Sequence, residues 1–277
     1  MRPSINAAKR SLTRAVYPDA KGDAAHFTKG VYACTMRWTT SPVRASCSRV
    51  VGLKMPRQSR FCPAGLCYHV LNRGVARLAL FEHAGDYDAF TKVLIEALAR
   101  EPLPILSYSL MPNHWHFVVR PAADDQVSSF FRWLTHTHTM RWHARHQTAG
   151  TGHLYQGRFK AFPIEEETHL AAVIRYVERN PVRANLCERA EQWRYGSAWH
   201  RANATTLSRS VLSPWPIPMP SGWLEQVNHP QTESELDAIR KSVARGSPFG
   251  GVTWMSQAAA RLNIGHTLRP RGRPSLK

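Results

Sequence analysis

Ile105-Leu106-Ser107-Tyr108-Ser109-Leu110-Met111-Pro112-Asn113-His114-Trp115-His116-Phe117-Val118-Val119-Arg120 reads as two strands, Ile105 to Leu110 and His114 to Arg120. They flank a tight turn at Met111-Pro112-Asn113, where proline presets φ and asparagine tolerates the turn. A strand sends alternate side chains to one face, so His114 and His116 project together, about 6.6 Å apart along the chain, and Trp115 projects away. Two imidazoles side by side can hold one divalent metal. Their strand is otherwise apolar, which singles the pair out. The same spacing at His136 and His138 falls in a helical pattern, where it means about 200° around the axis and no shared ligand. Those two are expected to be exposed.

Working outward, Leu66 to Asn72 reads as a strand. Asp86 to Arg100 reads as an amphipathic helix with Tyr87, Phe90, Leu94, Ala97 and Leu98 on one stripe, ended by Pro102 and Pro104. A second helix, Val127 to about His146, carries Phe130, Phe131, Leu134 and Met140 as apolar positions, with Arg132, Arg141 and Arg145 among the polar ones. A strand near Arg158 to Ile164 precedes a helix from Glu166 to Asn180, which Pro181 is expected to stop. Strand, helix, strand, strand, helix, strand, helix makes an α+β fold, an antiparallel sheet with packed helices. Beyond about Gly196 the texture changes. The Pro-rich Ser213 to Pro220, with Trp215, suggests an extended segment laid across the surface. Thr232 and Glu235 form a capping box for a helix to Ala244, with Gly246 as its stop.

The 37 Lys and Arg against 19 Asp and Glu leave a surplus of +18, which suits a polyanion, with nucleic acid ahead of an anionic membrane surface. No window approaches eighteen uninterrupted apolar residues and the N-terminus lacks an apolar signal core, so no membrane partner is expected. The expected location is cytoplasmic, associated with the nucleoid. Cys34, Cys47, Cys62, Cys67 and Cys187 form no framework and read as reduced thiols. Zinc at Cys62 and Cys67 would want a second pair that the chain does not supply. Residues 1–54 carry ten Lys or Arg, two acids and no sustained periodicity, the pattern of a disordered extension or of a basic DNA-binding arm. From Arg240 to Lys277 there are eight Lys or Arg and no acid.

On the Glu166 to Asn180 helix, Leu170, Val173, Ile174 and Val177 form the apolar stripe. His169, Tyr176 and Asn180 fall together on its flank, where a core tyrosine would not sit. Asn180 offers an amide oxygen as a third ligand for a hard cation, and His169 is a candidate base for activating Tyr176. Tyr155, just before Gln156-Gly157-Arg158-Phe159, is the rival nucleophile. A metal to polarise a phosphate and a phenol to attack it are the two parts of a DNA-nicking tyrosine nuclease.

Met111-Pro112-Asn113-His114-Trp115-His116, Gln156-Gly157-Arg158-Phe159-Lys160 and Arg175-Tyr176-Val177-Glu178-Arg179-Asn180-Pro181-Val182-Arg183-Ala184 together resemble the motifs of the REP-associated tyrosine transposases, in the HUH class of single-strand nucleases and the insertion-sequence-200-like family. Met55-Pro56-Arg57 resembles the family's usual beginning, and Arg245-Gly246-Ser247-Pro248-Phe249-Gly250 with the closing Arg-Pro-Arg-Gly-Arg-Pro resembles its C-terminal region. The resemblance implies a ferredoxin-like core, Mg2+ or Mn2+ held by His114 and His116 with Asn180 nearby, and Tyr176 as the nucleophile that forms a 5′-phosphotyrosine. It implies as substrate the single-stranded DNA hairpins of repetitive extragenic palindromes. Arg158, Lys160 and Arg183 are then candidate phosphate contacts. The expected organisation is a basic extension at 1–54, a catalytic domain at 55–200, and a Pro-rich segment with a basic DNA-binding tail at 201–277. Within that tail Arg271 and Arg273 resemble the core of an AT-hook for A·T-rich duplex, against the plainer reading of a basic end. A catalytically silent hairpin-binding protein is the alternative function. A replication or mobilisation initiator is disfavoured, because no Gly-x-x-x-x-Gly-Lys loop is present. Monomer and homodimer, and action of Tyr176 in cis or in trans, both stay open.

Overall fold

The computed structural model describes residues 61–166 and 168–269. The expectations for residues 1–54 and for Arg271 and Arg273 lie outside the described residues.

The elements run β1 (Cys67–Arg73), α1 (Ala84–Arg100), β2 (Ile105–Met111), β3 (His114–Val119), α2 (Gln126–His146), β4 (Lys160–Ile164), α3 (His169–Glu178) and α4 (Asn180–Arg183). They continue as α5 (Ser197–Asn203), α6 (Thr206–Val211), α7 (Trp223–Asn228), α8 (Glu233–Arg245) and α9 (Val252–Arg261). The four strands form one antiparallel sheet in the order β2-β3-β1-β4, and β-α-β-β-α-β in that order is the ferredoxin-like plan. Alternation along the strands divides the core in two. Tyr68, Val70, Trp115 and Phe117 face α1 and α2, packing on Phe90, Val93, Phe130 and Phe131. Cys67, Leu71, Val118 and Phe162 face the other way, onto Leu170, Val173 and Val177 of α3. His69, His114 and His116 share the α3 face by the same period of two.

Three expectations need correction. His138 is buried, 3% exposed, because Phe131, Leu134, His138 and Trp142 recur at helical spacing on the inward side of α2. Its Nδ1 lies 2.7 Å from the Tyr155 hydroxyl. Met140, two residues further along, points away and is 60% exposed. α3 ends at Glu178, and Pro181 does not end helical structure: it sits in the first turn of α4, where its missing N–H is not needed. Ala184 N donates to Asn180 O at 3.0 Å, and Arg183 N to Arg179 O at 3.0 Å.

Between Gly196 and Arg269 the chain contributes to both cores: Val211 is buried on the α1 and α2 side, and Trp223, Val227, Leu236, Ile239 and Phe249 on the α3 side. Glu178, 2% exposed, is the polar tie. It accepts from Ser197 Oγ at 2.6 Å, Trp223 Nε1 at 2.7 Å and Arg201 Nε at 3.3 Å, joining α3 to α5 and α7. The Pro-rich segment lies along the β2 edge, where Ser213 N donates to Ile105 O at 2.7 Å and Trp215 Nε1 to Leu106 O at 3.1 Å. Phe249 covers the β4 edge, its N donating to Pro163 O at 3.0 Å and its O accepting from Glu165 N at 2.9 Å. Main-chain groups at both edges are thereby partly engaged. At the start of α8, Thr232 Oγ1 accepts from Glu235 N at 3.3 Å and Glu235 Oε2 accepts from Thr232 N at 3.0 Å, the capping box read from the sequence. Gly246 closes α8 with φ 70°, a left-handed conformation that glycine adopts without strain. Among the described residues no helix is long and apolar enough to cross a membrane.

Candidate active site

β3 presents His114 and His116, and α3 lays Tyr176 across them. The His116 and Tyr176 rings are 6.1 Å apart between centroids, and the His114 and His116 rings 5.0 Å. Each histidine has its Nδ1 engaged from behind: His114 with Asn113 Oδ1 at 2.7 Å, and His116 with His69 Nε2 at 2.8 Å. Each Nε2 is left for a ligand. A hydrogen bond to one ring nitrogen is what fixes the tautomer and orientation of a metal-binding imidazole.

His69 was not singled out in the sequence, although its place between Tyr68 and Val70 in an apolar strand is the same kind of signal that marks His116. It is fully buried. Leu71 is the register partner of His116 and His69 that of Val118, so His69 reaches His116 on the diagonal. Its ring centroid is 6.1 Å from that of Tyr176. Burial holds its pKa down at about 3. Burial, aided by the Arg73 and Arg183 charges, brings His114 to about 4. His116 is held well below the ordinary histidine range, first by burial and then by its histidine and arginine neighbours. All three rings are therefore neutral at pH 7, the state in which an imidazole nitrogen offers a lone pair.

Tyr176 is 7% exposed, deeper than a flank position implied. It reaches a cavity of about 610 Å³ lined also by Arg73, Arg158, Lys160 and Arg240, with no acid among the described residues of the lining. Lys160 is partly committed, its Nζ donating to Val243 O at 3.2 Å at the C-terminal end of α8. Tyr176, Asn180 and Arg183 lie at i, i+4 and i+7, one face of continuous helical turns. The Arg183 guanidinium sits over the Tyr176 ring, 4.2 Å from its centroid, and its Nη2 donates to Asn180 Oδ1 at 2.8 Å. Burial lowers the pKa of this guanidinium, and attraction to Tyr176 opposes the shift.

Two other sequence candidates fall elsewhere. His169 is two helical turns before Tyr176, about 10 Å along the axis. It engages Glu165 Oε2 at 3.0 Å and Thr168 Oγ1 at 2.9 Å. Tyr155 lies across the sheet in the α1 and α2 core, where its hydroxyl accepts from Trp115 Nε1 at 3.1 Å and meets His138. Burial pushes its pKa above the usual phenol range, so Tyr155 is locked in a dry network away from the histidines.

The donor set fits a divalent cation through His114 Nε2 and His116 Nε2, since an octahedral ion takes its remaining positions from water and substrate phosphates. The Asn180 Oδ1 accepts from Arg183 Nη2, which uses one of its two lone pairs. Among the described residues there is no cluster of three or more His, Cys, Asp or Glu arranged around one metal position.

Residues 63–180 match the family model described as IS200-like transposase. A solved structure of a REP-associated tyrosine transposase bound to a REP hairpin is similar at 20% identity, over 60% of this chain and 94% of that one, with a TM-score of 0.44. No curated protein matches the chain. The matched segment spans the four strands, both helices of the ferredoxin-like unit, the histidine pair, Tyr176 and Asn180, and it is this stretch of the chain, residues 63–180, that is similar to the IS200-like transposases.

Proposed function

We propose that the protein is a metal-dependent single-stranded DNA endonuclease and strand transferase acting on hairpin-forming repetitive palindromic DNA. The observation that carries the reading is the juxtaposition of Tyr176 with His116, at 6.1 Å between ring centroids, on the wall of a cavity lined by basic residues. The hairpin substrate rests on the motif resemblance.

His114 and His116 would hold Mn2+ or Mg2+, the imidazole donors favouring Mn2+. When bound, the ion supplies Lewis-acid polarisation of a phosphate oxygen. Tyr176 Oη gives up its proton to solvent water and attacks the phosphorus. A phosphorus–tyrosine bond forms, the bond to the 3′-oxygen breaks, and that oxygen takes up a proton. The products are a 5′-phosphotyrosine and a 3′-OH. Because the link remains a phosphodiester, a second 3′-OH can reverse the step and join strands without a nucleotide cofactor. Arg183 holds the phenol ring from one side, and Arg158, Arg73 and Arg240 supply positive charge for the flanking phosphates. Lys160, tied to α8, contributes its charge from a fixed place. Residues 55–200 would form the catalytic unit, and 201–277 would add basic charge, with Trp223, Val227, Leu236 and Ile239 bracing α3.

The test is incubation of the full chain with a labelled hairpin oligonucleotide and Mn2+, followed by denaturing electrophoresis. A covalent adduct is expected. Tight hairpin binding without an adduct at any metal concentration would instead identify a catalytically silent hairpin-binding protein.

A further inference from the structure

The cavity beside Tyr176 continues beyond the tyrosine. Asn72, Gln156, Gly157 and Arg158 line it and also line a second cavity, of about 570 Å³, whose other wall is Arg132, His136 and Thr139 of α2 together with His153. Arg132, Thr135 and Arg158 in turn belong to a third, of about 510 Å³, which reaches Ser128 and Asp125. Ser128, Arg132, Thr135 and Thr139 recur at i, i+4, i+7 and i+11 of α2, a single stripe about 16 Å long. The groove is chemically one-sided. Arg132, His136, His153 and Arg158 are exposed in it, and Asp125 at its far end is the one acid among the described lining residues. The other two arginines of α2 are neutralised, Arg141 by Glu96 at 2.7 Å and Arg145 by Asp86 at 3.2 Å, whereas Arg132 has no carboxylate within ion-pair distance among the described residues. Tyr155 and Phe159 in the lining are 7% and 5% exposed. The groove therefore offers cations and hydroxyls, but no open phenylalanine, tyrosine or tryptophan ring on which a base could stack.

Gly157 belongs to both of the first two cavities. Its backbone is fixed: its O accepts from Asn72 Nδ2 at 3.2 Å, and the neighbouring Gln156 N donates to Arg73 O at 2.9 Å, which docks this loop on the end of β1. A Cβ at Gly157 would meet nothing within 4 Å, and its φ lies outside the left-handed region. Neither backbone strain nor packing within the described chain calls for glycine here. What the missing side chain leaves is clear space between two basic cavities, where another backbone can approach closely. We infer that the single strand flanking the cleaved phosphate leaves the Tyr176 cavity over Gly157 and runs along the α2 groove, its phosphates facing Arg132, His136 and His153 and its bases facing outward. That the strand comes from a cleaved phosphate rests on the nuclease reading above; the groove and its charge do not. A gap opened by one missing side chain admits one backbone rather than a duplex. Contacts to phosphates alone carry no sequence information, so the groove holds flanks of any sequence and fixes the direction of the strand.

The test titrates the full-length protein, in chelator so that no strand is cut, with two labelled oligonucleotides: the hairpin with long mixed-sequence single-stranded flanks, and the same hairpin without them. Gly157→Leu should fold as the parent does, since no described atom stands in the way of its side chain. It should bind the flanked oligonucleotide about tenfold more weakly, the worth of one charge-assisted contact. Gly157→Ala, a smaller obstruction, should lose less. Arg132→Ala should lower the slope of log affinity against log salt on the flanked oligonucleotide by about 0.7, the share of one phosphate on a single strand. Arg141→Ala, whose charge is already paired with Glu96, should leave that slope unchanged. None of these variants should alter binding of the unflanked hairpin. Parent-like binding of the flanked oligonucleotide by Gly157→Leu, or equal changes in Arg132→Ala and Arg141→Ala, overturns the track. A loss in Arg132→Ala that persists on the unflanked hairpin assigns the groove to the duplex stem and overturns it as well. If Gly157→Leu does not fold, the comparison of Arg132→Ala with Arg141→Ala decides. A parent that shows this dependence on the flank but forms no covalent adduct with Mn2+ overturns the nuclease reading and leaves the track standing.

Discussion

The Nε2 of His69 stands 2.8 Å from the Nδ1 of His116, while His69 Nδ1 is buried without a partner among the described residues. One proton lies between two neutral rings, so its position on either ring decides what His116 offers on its outer side. With the proton on His69 Nε2, only a lone pair is stranded at His69 Nδ1, and His116 presents Nε2–H. A cation at His116 Nε2 requires the opposite arrangement, which strands an N–H at His69 and costs about 1–3 kcal/mol. Nitrogen NMR of the ion-free protein is therefore expected to show His116 protonated at Nε2, moving to Nδ1 as Mg2+ saturates the site. An unchanged tautomer at saturation counts against His116 as a ligand.

Tyr176→Phe should abolish the covalent adduct and leave hairpin affinity nearly unchanged, because one hydroxyl adds little to binding dominated by phosphates. Tyr155→Phe should do the reverse. It keeps the adduct and lowers stability by about 1–3 kcal/mol, since Trp115 Nε1 loses its acceptor in a dry core. Adduct assays and urea melts on the two variants decide between them, and an adduct that survives in Tyr176→Phe moves the nucleophile elsewhere.

His169→Ala should leave the rate of adduct formation unaltered, because His169 is held by Glu165 at the far end of α3. A single-turnover rate reduced by about tenfold or more would restore it as the activating base.

Glu178→Ala should destabilise the fold by about 3–5 kcal/mol, because it leaves Arg201 and the Trp223 N–H without their buried carboxylate. The loss should appear as weakened docking of α7 on α3, read by protection of the Trp223 amide in hydrogen exchange. Unchanged protection would show that apolar contacts alone hold α7.

Acid should weaken the protein before its carboxylates titrate. His69 and His138 are held at about 3 by burial, from an ordinary 6.5, so the unfolded chain binds more protons than the folded one between those values. Their stabilising contribution is present above about 6.5 and is lost as pH falls toward about 3, each amounting to about 2 kcal/mol by pH 5. Denaturant midpoints at pH 7 and pH 5 measure it, and His138→Gln should remove part of the difference. Equal midpoints in the parent would mean that neither ring is buried neutral.

How much of this was legible in the chain depends on the range of the interaction involved. The period of two in Ile105 to Arg120 was enough to place His114 and His116 on one face opposite Trp115. The period of 3.6 put Tyr176 with Asn180, and the capping box at Thr232 marked the start of α8. Each is a local rule set by backbone geometry, which is why the antiparallel sheet and its helices could be read without coordinates. His138 was misplaced because a polar residue on an inward helical position is buried only if a partner such as Tyr155 comes from elsewhere. His69 was missed because its meaning lies in the β1–β3 register, which no local pattern states. The pairing of the Asn180 oxygen with Arg183, and the separation of His169 from Tyr176, depend on side-chain direction and on which neighbour is nearer. Local periodicity thus determined which face each residue takes; tertiary packing alone decided what stands opposite it, because burial, charge and hydrogen bonding are set by segments distant in the chain.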